Sequence, residues 1–512
     1  MSSTLTLNVP LNRVEGDLEI SAEVREGRVT DAWCSGTMFR GIEKVLLGRG
    51  ALDGLVITPR ICGICSTGHL AAAALALDAI AGIAPPPDAV RLRNVLQMTE
   101  HLQSDLRQSF LTFAGDFAGP AHRQVPGHAD AVRRYEPFKG ETVLEVMRET
   151  QRLLEIIAIV GGQWPHASYM VPGGIVSAPS QRSRLQCRLI LRQFRSWYER
   201  RILGCTLERF AEVRSRDALQ AWLEERESHA SGDLGFFIAF ARALGLHQVG
   251  AGPGSFLSYG ALPVPEDSAV RGVGGSGYLV PPGFLQGGEV RGFDPWSITE
   301  HVAHSWYVDY EGGLHPSVGE TRPYASGNEG RKYSWAKAPR YEGQPAETGP
   351  LAELVLAGHP LISDLMKREG PSAFLRQLAR ILRPSLLLPA MDAWLAEAGG
   401  PLGYYRSPGP IHEGEACGLT HASRGALGHW VRIEGGEIAH YQIITPTAWN
   451  ASPRDSAGRR GPIEEALVGT PVADPEDPVE LGYVVRSFDV CLVCTVHSLR
   501  RGRPAGRLRL GT

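Results

Sequence analysis

Cysteine is scarce in this sequence: eight in 512 residues, too few for a disulfide-stapled scaffold. Lysine is scarcer still, five against 47 arginines, a bias that genomic base composition explains without a functional cause. The net charge of −3 supplies no field for a nucleic-acid surface, so no nucleic-acid partner is expected. Uncharged apolar runs of about 18 residues, the length of a membrane span, are missing. The longest candidate, LAAAALALDAIAGIAPPP, carries Asp78 and ends in prolines, so it reads as a buried helix. The opening MSSTLTLNVPLNRVEG has no basic segment followed by an apolar run, so no signal peptide is expected. The chain reads as cytoplasmic, with any membrane association supplied by a partner. Hydrophobic residues make up 43% and charged residues 21%, which excludes a disordered chain.

The pattern along the chain predicts an α+β protein: one large fold, with a central long-helix bundle flanked by small antiparallel sheets. Residues 1–50 read as an N-terminal β region, with LEISAEV and RVTDAWC flanking a glycine turn, followed by a short helix at 41–50. Residues 51–230 read as a helical core, with long helices at 69–83, 90–116 and 141–161 and two more within 180–226. Residues 247–348, rich in Gly, Pro, Tyr and Ser, read as irregular with short strands. Residues 351–497 return to helices, then a hairpin at 428–450 around EGGE, a helix near 460–468 and a helix or strand at 478–487.

The cysteines are distributed unevenly. Cys62 and Cys65 lie in TPRICGICSTGH (58–69), and Cys491 and Cys494 in RSFDVCLVCTVH (486–497). Each Cys-x-x-Cys pair is followed by a histidine, His69 or His497. Two such pairs suit a Cys₄ zinc clip, although zinc ribbons place them about 15–20 residues apart and here 426 separate Cys65 from Cys491. A thioredoxin-like redox pair fits less well, because neither pair opens a βαβ unit. Four thiolates also suit a softer transition metal. A helix beginning at Ser66–Thr67 would favour the thiolate form of Cys65.

These two motifs resemble the signature segments of the nickel–iron hydrogenase large subunit. RVEG (13–16), FRGIEKVLLGR (39–49), RGALGHW (424–430) and TPTAWNASPRD (445–455) resemble further family segments in family order. The resemblance implies a catalytic subunit that oxidises H₂ heterolytically and reversibly. It implies a centre with nickel on Cys62, Cys65, Cys491 and Cys494. An iron bearing carbonyl and cyanide ligands would share Cys65 and Cys494. It implies that Arg424 faces the open side of the centre, paired with Asp116, and that Glu15 takes a proton from Cys491. Thr447 would donate to a cyanide nitrogen, with Pro446 setting its loop and His69 near the bridging sulfurs. Glu43, the carbonyl of Ile443 and His497 would hold Mg²⁺ (or Fe²⁺) near the C-terminus. Cys34, Cys187, Cys205 and Cys417 receive no role.

The chain has no further cysteine clusters for electron transfer, so the resemblance implies a heterodimer with an iron–sulfur small subunit. It also implies maturation proteins and a C-terminal protease that cuts after His497. The fifteen residues beyond, SLRRGRPAGRLRLGT, hold five arginines and no acid. Two positions depart from the family pattern: Ser423 and Val490 stand where proline is common. The alternatives are an H₂ sensor of low turnover that signals to a partner, the related quinone-reducing subunit of respiratory complex I, which lacks the four cysteines, and a structural zinc protein.

Overall fold

A computed structural model describes residues 4–327, 330–400 and 403–492. Leu5–Leu11, Leu18–Arg25 and Arg28–Gly36 form a three-stranded antiparallel sheet in sequential order. Its middle strand alternates buried and half-buried residues, the period-two pattern of a sheet with one packed face. Glu26 and Gly27, at φ 51° and 71°, close the second hairpin; positive φ at both central residues matches the strand twist in a two-residue turn.

The centre is helical. Ser66–Ile80 is Ala/Leu-rich and buried along nearly its whole length. Pro87–Arg107 is also buried almost all round, yet it carries Arg91, Arg93, Glu100, His101 and Asp105. Buried charges persist only when paired. Here Arg93 pairs with Asp78 at 2.6 Å and Asp105 with Arg383 at 2.8 Å. This helix is therefore a polar spine within an apolar bundle. The bundle is completed by Glu141–Gly161, Gln181–Trp197 and Ala373–Glu397.

The helix predicted over 90–116 is α-helical only to Arg107. A π-helical stretch, Gln108–Phe113, and a 3₁₀ turn, Ala114–Ala118, follow. In the π stretch the Gln108 side chain donates to the Arg486 carbonyl and Ser109 to Gln377. Tertiary partners, unseen in the local pattern, thus accompany the change of helix type.

Near the C-terminus the sequence predicts one hairpin at 428–450. The structure has a three-stranded antiparallel sheet, Gly414–Ala422, Gly425–Glu434 and Glu437–Ile444, and then a short helix, Pro446–Asn450. The first strand carries Gly418, and a β-carbon there would lie 1.9 Å from the Ala72 carbonyl oxygen. Small residues therefore bring the 66–80 helix onto the sheet backbone to backbone. That contact sets the first cysteine motif beside the turn that carries Arg424. The 478–487 segment is a helix, Val479–Ser487, which delivers the chain to the second motif.

Candidate metal centre

Cys62 ends a 3₁₀ turn, and Cys65 is the cap residue of the 66–80 helix. Cys491 follows the 479–487 helix through Asp489, whose φ of 57° lies in the left-handed region. That conformation is one Asp and Asn tolerate better than most residues. The Sγ atoms of Cys62, Cys65 and Cys491 lie within 4.8 Å of one another, and Cys62 and Cys491 are 3.5 Å apart. All three are buried, at 2%, 2% and 0% exposure. Cys494 and His497 lie outside the described residues. Three buried thiols on two distant segments, one at a helix N-terminus, form a donor set that suits a thiophilic metal. Among the described residues no other group of His, Cys, Asp or Glu converges in this way.

The segments around the cluster are tied to one another by the backbone. The Glu15 N–H donates to the Val490 carbonyl at 3.3 Å, and the Leu492 N–H donates to the Glu15 carbonyl at 2.6 Å. Glu15 is thereby pinned alongside Cys491. Burial raises its carboxyl pKa, the Cys62 charge adds to the rise and Arg424 opposes it. The Thr447 hydroxyl oxygen accepts the Cys491 N–H at 2.9 Å, which leaves its own proton for another acceptor. Pro446 opens the 446–450 helix, and Thr445 caps it by accepting from the Ala448 N–H at 3.2 Å.

Arg424 occupies the two-residue turn between strands 414–422 and 425–434. Its Nη1 donates to Cys65 Sγ at 3.1 Å. Burial works against its charge, but Asp489 and the thiolates of Cys491, Cys65 and Cys62 outweigh that effect and hold its pKa well above the ordinary value.

Asp116 is not the partner of Arg424. It accepts from Arg486 Nη1 at 2.6 Å and from Arg13. The 3₁₀ turn after the π stretch directs it toward the N-terminal loop. The carboxylate beside Arg424 is Asp489, whose Oδ1 accepts from Nε at 3.0 Å while its backbone carbonyl accepts at 3.1 Å. Sequence reasoning overlooked Asp489, although an acid two residues before a motif cysteine is a visible signal.

His69 reaches His429 Nε2 through Nδ1 at 3.1 Å, and His429 Nδ1 meets the Tyr441 hydroxyl at 2.9 Å. Burial lowers His69 to about 4 and His429 well below its usual value, so both rings are neutral near pH 7. Glu100 also escaped the sequence reading. It accepts the N–H groups of Thr67 and Gly68, at 2.8 and 3.2 Å, at the N-terminus of the 66–80 helix. Burial nevertheless lifts its pKa to about 8.

Glu43 is buried. Its Oε1 accepts from Gln442 Nε2 at 2.8 Å and from the N–H of Ile443 at 2.9 Å, and Thr321 donates to Oε2. Glu43 and Ile443 thus meet through an amide hydrogen bond, while the third residue of the expected magnesium set, His497, lies outside the described residues.

Comparison with known proteins gives a uniform result. The sequence profile of the family described as nickel-dependent hydrogenase matches residues 40–117 and 141–497. The chain is 34% identical to the periplasmic [NiFeSe] hydrogenase large subunit of Desulfomicrobium baculatum, over 96% of this chain and 94% of that one. It is 27% identical to the hydrogenase-2 large chain of Escherichia coli K12, over 97% of each. The solved H₂-activated [NiFeSe] hydrogenase of Dm. baculatum superposes with a TM-score of 0.81 at 30% identity, covering 97% of this chain and all of that one. Residues that lie 426 apart in sequence thus converge on one thiol cluster, in a fold that matches these relatives from end to end, and the chain belongs to the nickel-dependent hydrogenase family as a large subunit.

Proposed function

We propose that this subunit catalyses heterolytic, reversible H₂ oxidation at a nickel–iron centre held by Cys62, Cys65, Cys491 and Cys494. The observation that carries this reading is the set of three buried sulfurs within 4.8 Å with the Arg424 guanidinium 3.1 Å from one of them. When bound, nickel and an iron with carbonyl and cyanide ligands would supply the Lewis-acid and redox chemistry that polarises H₂ and takes up its electrons. Cys62, Cys65, Cys491 and Cys494 would hold the nickel, and Cys65 and Cys494 the iron as well.

The protein's own groups would do the rest. Arg424, fixed by Asp489, orients and polarises H₂ from its planar fork and remains charged throughout. Glu15 accepts the proton from Cys491 Sγ, a task suited to a carboxyl whose pKa burial raises above its ordinary value. Thr447 would offer its hydroxyl proton to a cyanide nitrogen, and His69 would support the sulfurs of Cys65 and Cys494. Glu43, Ile443 and His497 would hold Mg²⁺, a hard cation that takes oxygen ligands, and so fix the C-terminal end of the chain. Asp116 has no part at the reacting atoms in this reading; it clamps Arg13 and Arg486.

Electrons pass to an iron–sulfur small subunit. Among the described residues no helix is long and apolar enough to cross a membrane; in this reading the subunit works in the cytoplasm, and any membrane association comes through that partner. Maturation proteins insert the metals, and a protease then removes 498–512.

The test is purification of the assembled protein, metal analysis and infrared spectroscopy. One nickel per large subunit, iron in excess of nickel because the small subunit's clusters add to it, carbonyl and cyanide bands, and rapid reduction of an artificial acceptor by H₂ are expected. Arg424→Lys should keep the metals and lose most turnover, and wild-type turnover in that variant would remove Arg424 from the mechanism. An intact mass ending at His497 is expected; a full-length chain with slow turnover would favour the H₂-sensing alternative. Zinc in place of nickel would overturn the reading.

A further inference from the structure

The Ala373–Glu397 helix carries three buried arginines, Arg376, Arg380 and Arg383; the last two lie one turn apart, at 2% and 1% exposure. Neither was implied by any motif. Arg383 places Nε and Nη2 on the two oxygens of Asp105, both at 2.8 Å. Its Nη1 meets Glu353 at 2.8 and 2.9 Å. The same Nη2 also donates to the Ser423 carbonyl at 2.7 Å. Ser423 immediately precedes Arg424 in the hairpin turn, so Arg383 clamps the backbone from which Arg424 projects. The Ser423 hydroxyl adds a bond to the Glu100 carbonyl at 3.3 Å. Arg380 acts on the other side. Its Nη1 donates to Asp489 Oδ2 at 3.1 Å and to Asp105 Oδ1 at 3.3 Å. Asp489 Oδ1 is the atom that accepts from Arg424 Nε.

The two arginines therefore grip Arg424 at both ends, one through its backbone and one through its carboxylate partner. A turn residue at this position lacks the rigidity that proline in place of Ser423 would give. The 383–423 hydrogen bond supplies an equivalent constraint. Arg380 Nε has no hydrogen-bond partner among the described residues.

We propose that Arg380 and Arg383 are positioning residues for Arg424: they hold its guanidinium over the thiol cluster by clamping Asp489 and the Ser423 carbonyl. This rests on the reading that Arg424 acts at the metal centre. A lysine at 383 keeps the charge and loses the planar fork that spans Asp105, Glu353 and Ser423; at 380, where Nη1 alone reaches both Asp489 and Asp105, the lysine ammonium ends one bond short of that nitrogen.

The experiment compares the assembled, metal-loaded enzyme with Arg380→Lys, Arg383→Lys, Arg424→Lys and the double variant Arg380→Lys/Arg424→Lys. Nickel and iron content, kcat per nickel, KM for H₂ and the infrared bands of the centre are measured. The expected result for Arg380→Lys is full metal content, KM within twofold, and at least a tenfold loss of kcat per nickel. Its infrared bands should shift in the same direction as those of Arg424→Lys, and in the double variant they should shift no further. Such non-additivity is what a residue acting through Arg424 must show. Unshifted bands with wild-type kcat per nickel in Arg380→Lys, or shifts that add to those of Arg424→Lys, overturn the clamp. Should Arg383→Lys fail to load metal, Arg380→Gln replaces it, with the same criteria. Wild-type turnover in Arg424→Lys would overturn both this inference and the role of Arg424. A loss there with none in Arg380→Lys overturns the clamp alone.

Discussion

Replacing Asp489 by asparagine tests the electrostatics of the centre without disturbing its backbone. Asn, like Asp, accepts the left-handed conformation, here φ 57°. In the native chain the two carboxylate oxygens of Asp489 serve two arginines, Oδ1 to Arg424 at 3.0 Å and Oδ2 to Arg380 at 3.1 Å. An amide has one oxygen, so its NH₂ group must face one of the two cations. Removing one partner from a buried charge pair costs about 3–5 kcal/mol. Arg380 retains Asp105 at 3.3 Å, so most of the penalty falls on Arg424. That residue is left with the Asp489 carbonyl at 3.1 Å and Cys65 Sγ at 3.1 Å. If roughly 2.7 kcal/mol of this loss is felt in the transition state, kcat falls about 100-fold. The assay is H₂ oxidation with an artificial acceptor, normalised to nickel, over a range of H₂ concentrations. The expected outcome is a kcat reduced on the order of 100-fold with KM little changed. A kcat per nickel within twofold of wild type would show that the Asp489–Arg424 pair contributes nothing to turnover.

Glu15→Gln should preserve metal content and abolish proton exchange, because an amide cannot ionise; H₂/D₂O isotope exchange checks it, and an unchanged rate would rule out Glu15 as the proton acceptor. Glu100 has a folded pKa of about 8 against an ordinary value of 4.5. A raised folded pKa means that the native state binds more protons, so its stabilising contribution is complete below about pH 4.5 and is lost as pH rises toward 8. Glu100→Gln should therefore gain stability relative to wild type between pH 5 and pH 8, as followed by thermal unfolding, and a constant difference across that range would contradict the assignment. Gly418→Val would drive a side chain into the Ala72 carbonyl, 1.9 Å from a β-carbon. A stability loss of more than about 1–3 kcal/mol and a fall in nickel content together are expected, because the displaced helix carries Cys65; normal metal loading with a lowered melting temperature would separate the packing from the site.

The sequence alone identified the chemistry, because a metal site demands particular side chains. Cys62, Cys65, Cys491 and Cys494 were legible as two spaced pairs, and Arg424, Glu15 and Thr447 as parts of family segments. The regular elements were legible where periodicity was local, as in Glu141–Gly161, which matches the predicted limits. The tertiary structure decided what pairs with what. Asp116, placed beside Arg424 by the family resemblance, instead clamps Arg13 and Arg486 from the 3₁₀ turn that follows the π stretch. Asp489 was visible as an acid two residues before a motif cysteine but without its partners, and Arg380, Arg383 and Glu100 only as isolated charges. Burial forces such charges to find partners, but the partners lie on other elements: Arg383 meets Ser423 across 40 positions and Asp105 across 278. Local pattern records what a segment can bury against itself and its neighbours. Which distant group completes a buried charge is set by the packing of helix against helix, and by the close approach that Gly418 permits between the 66–80 helix and its sheet.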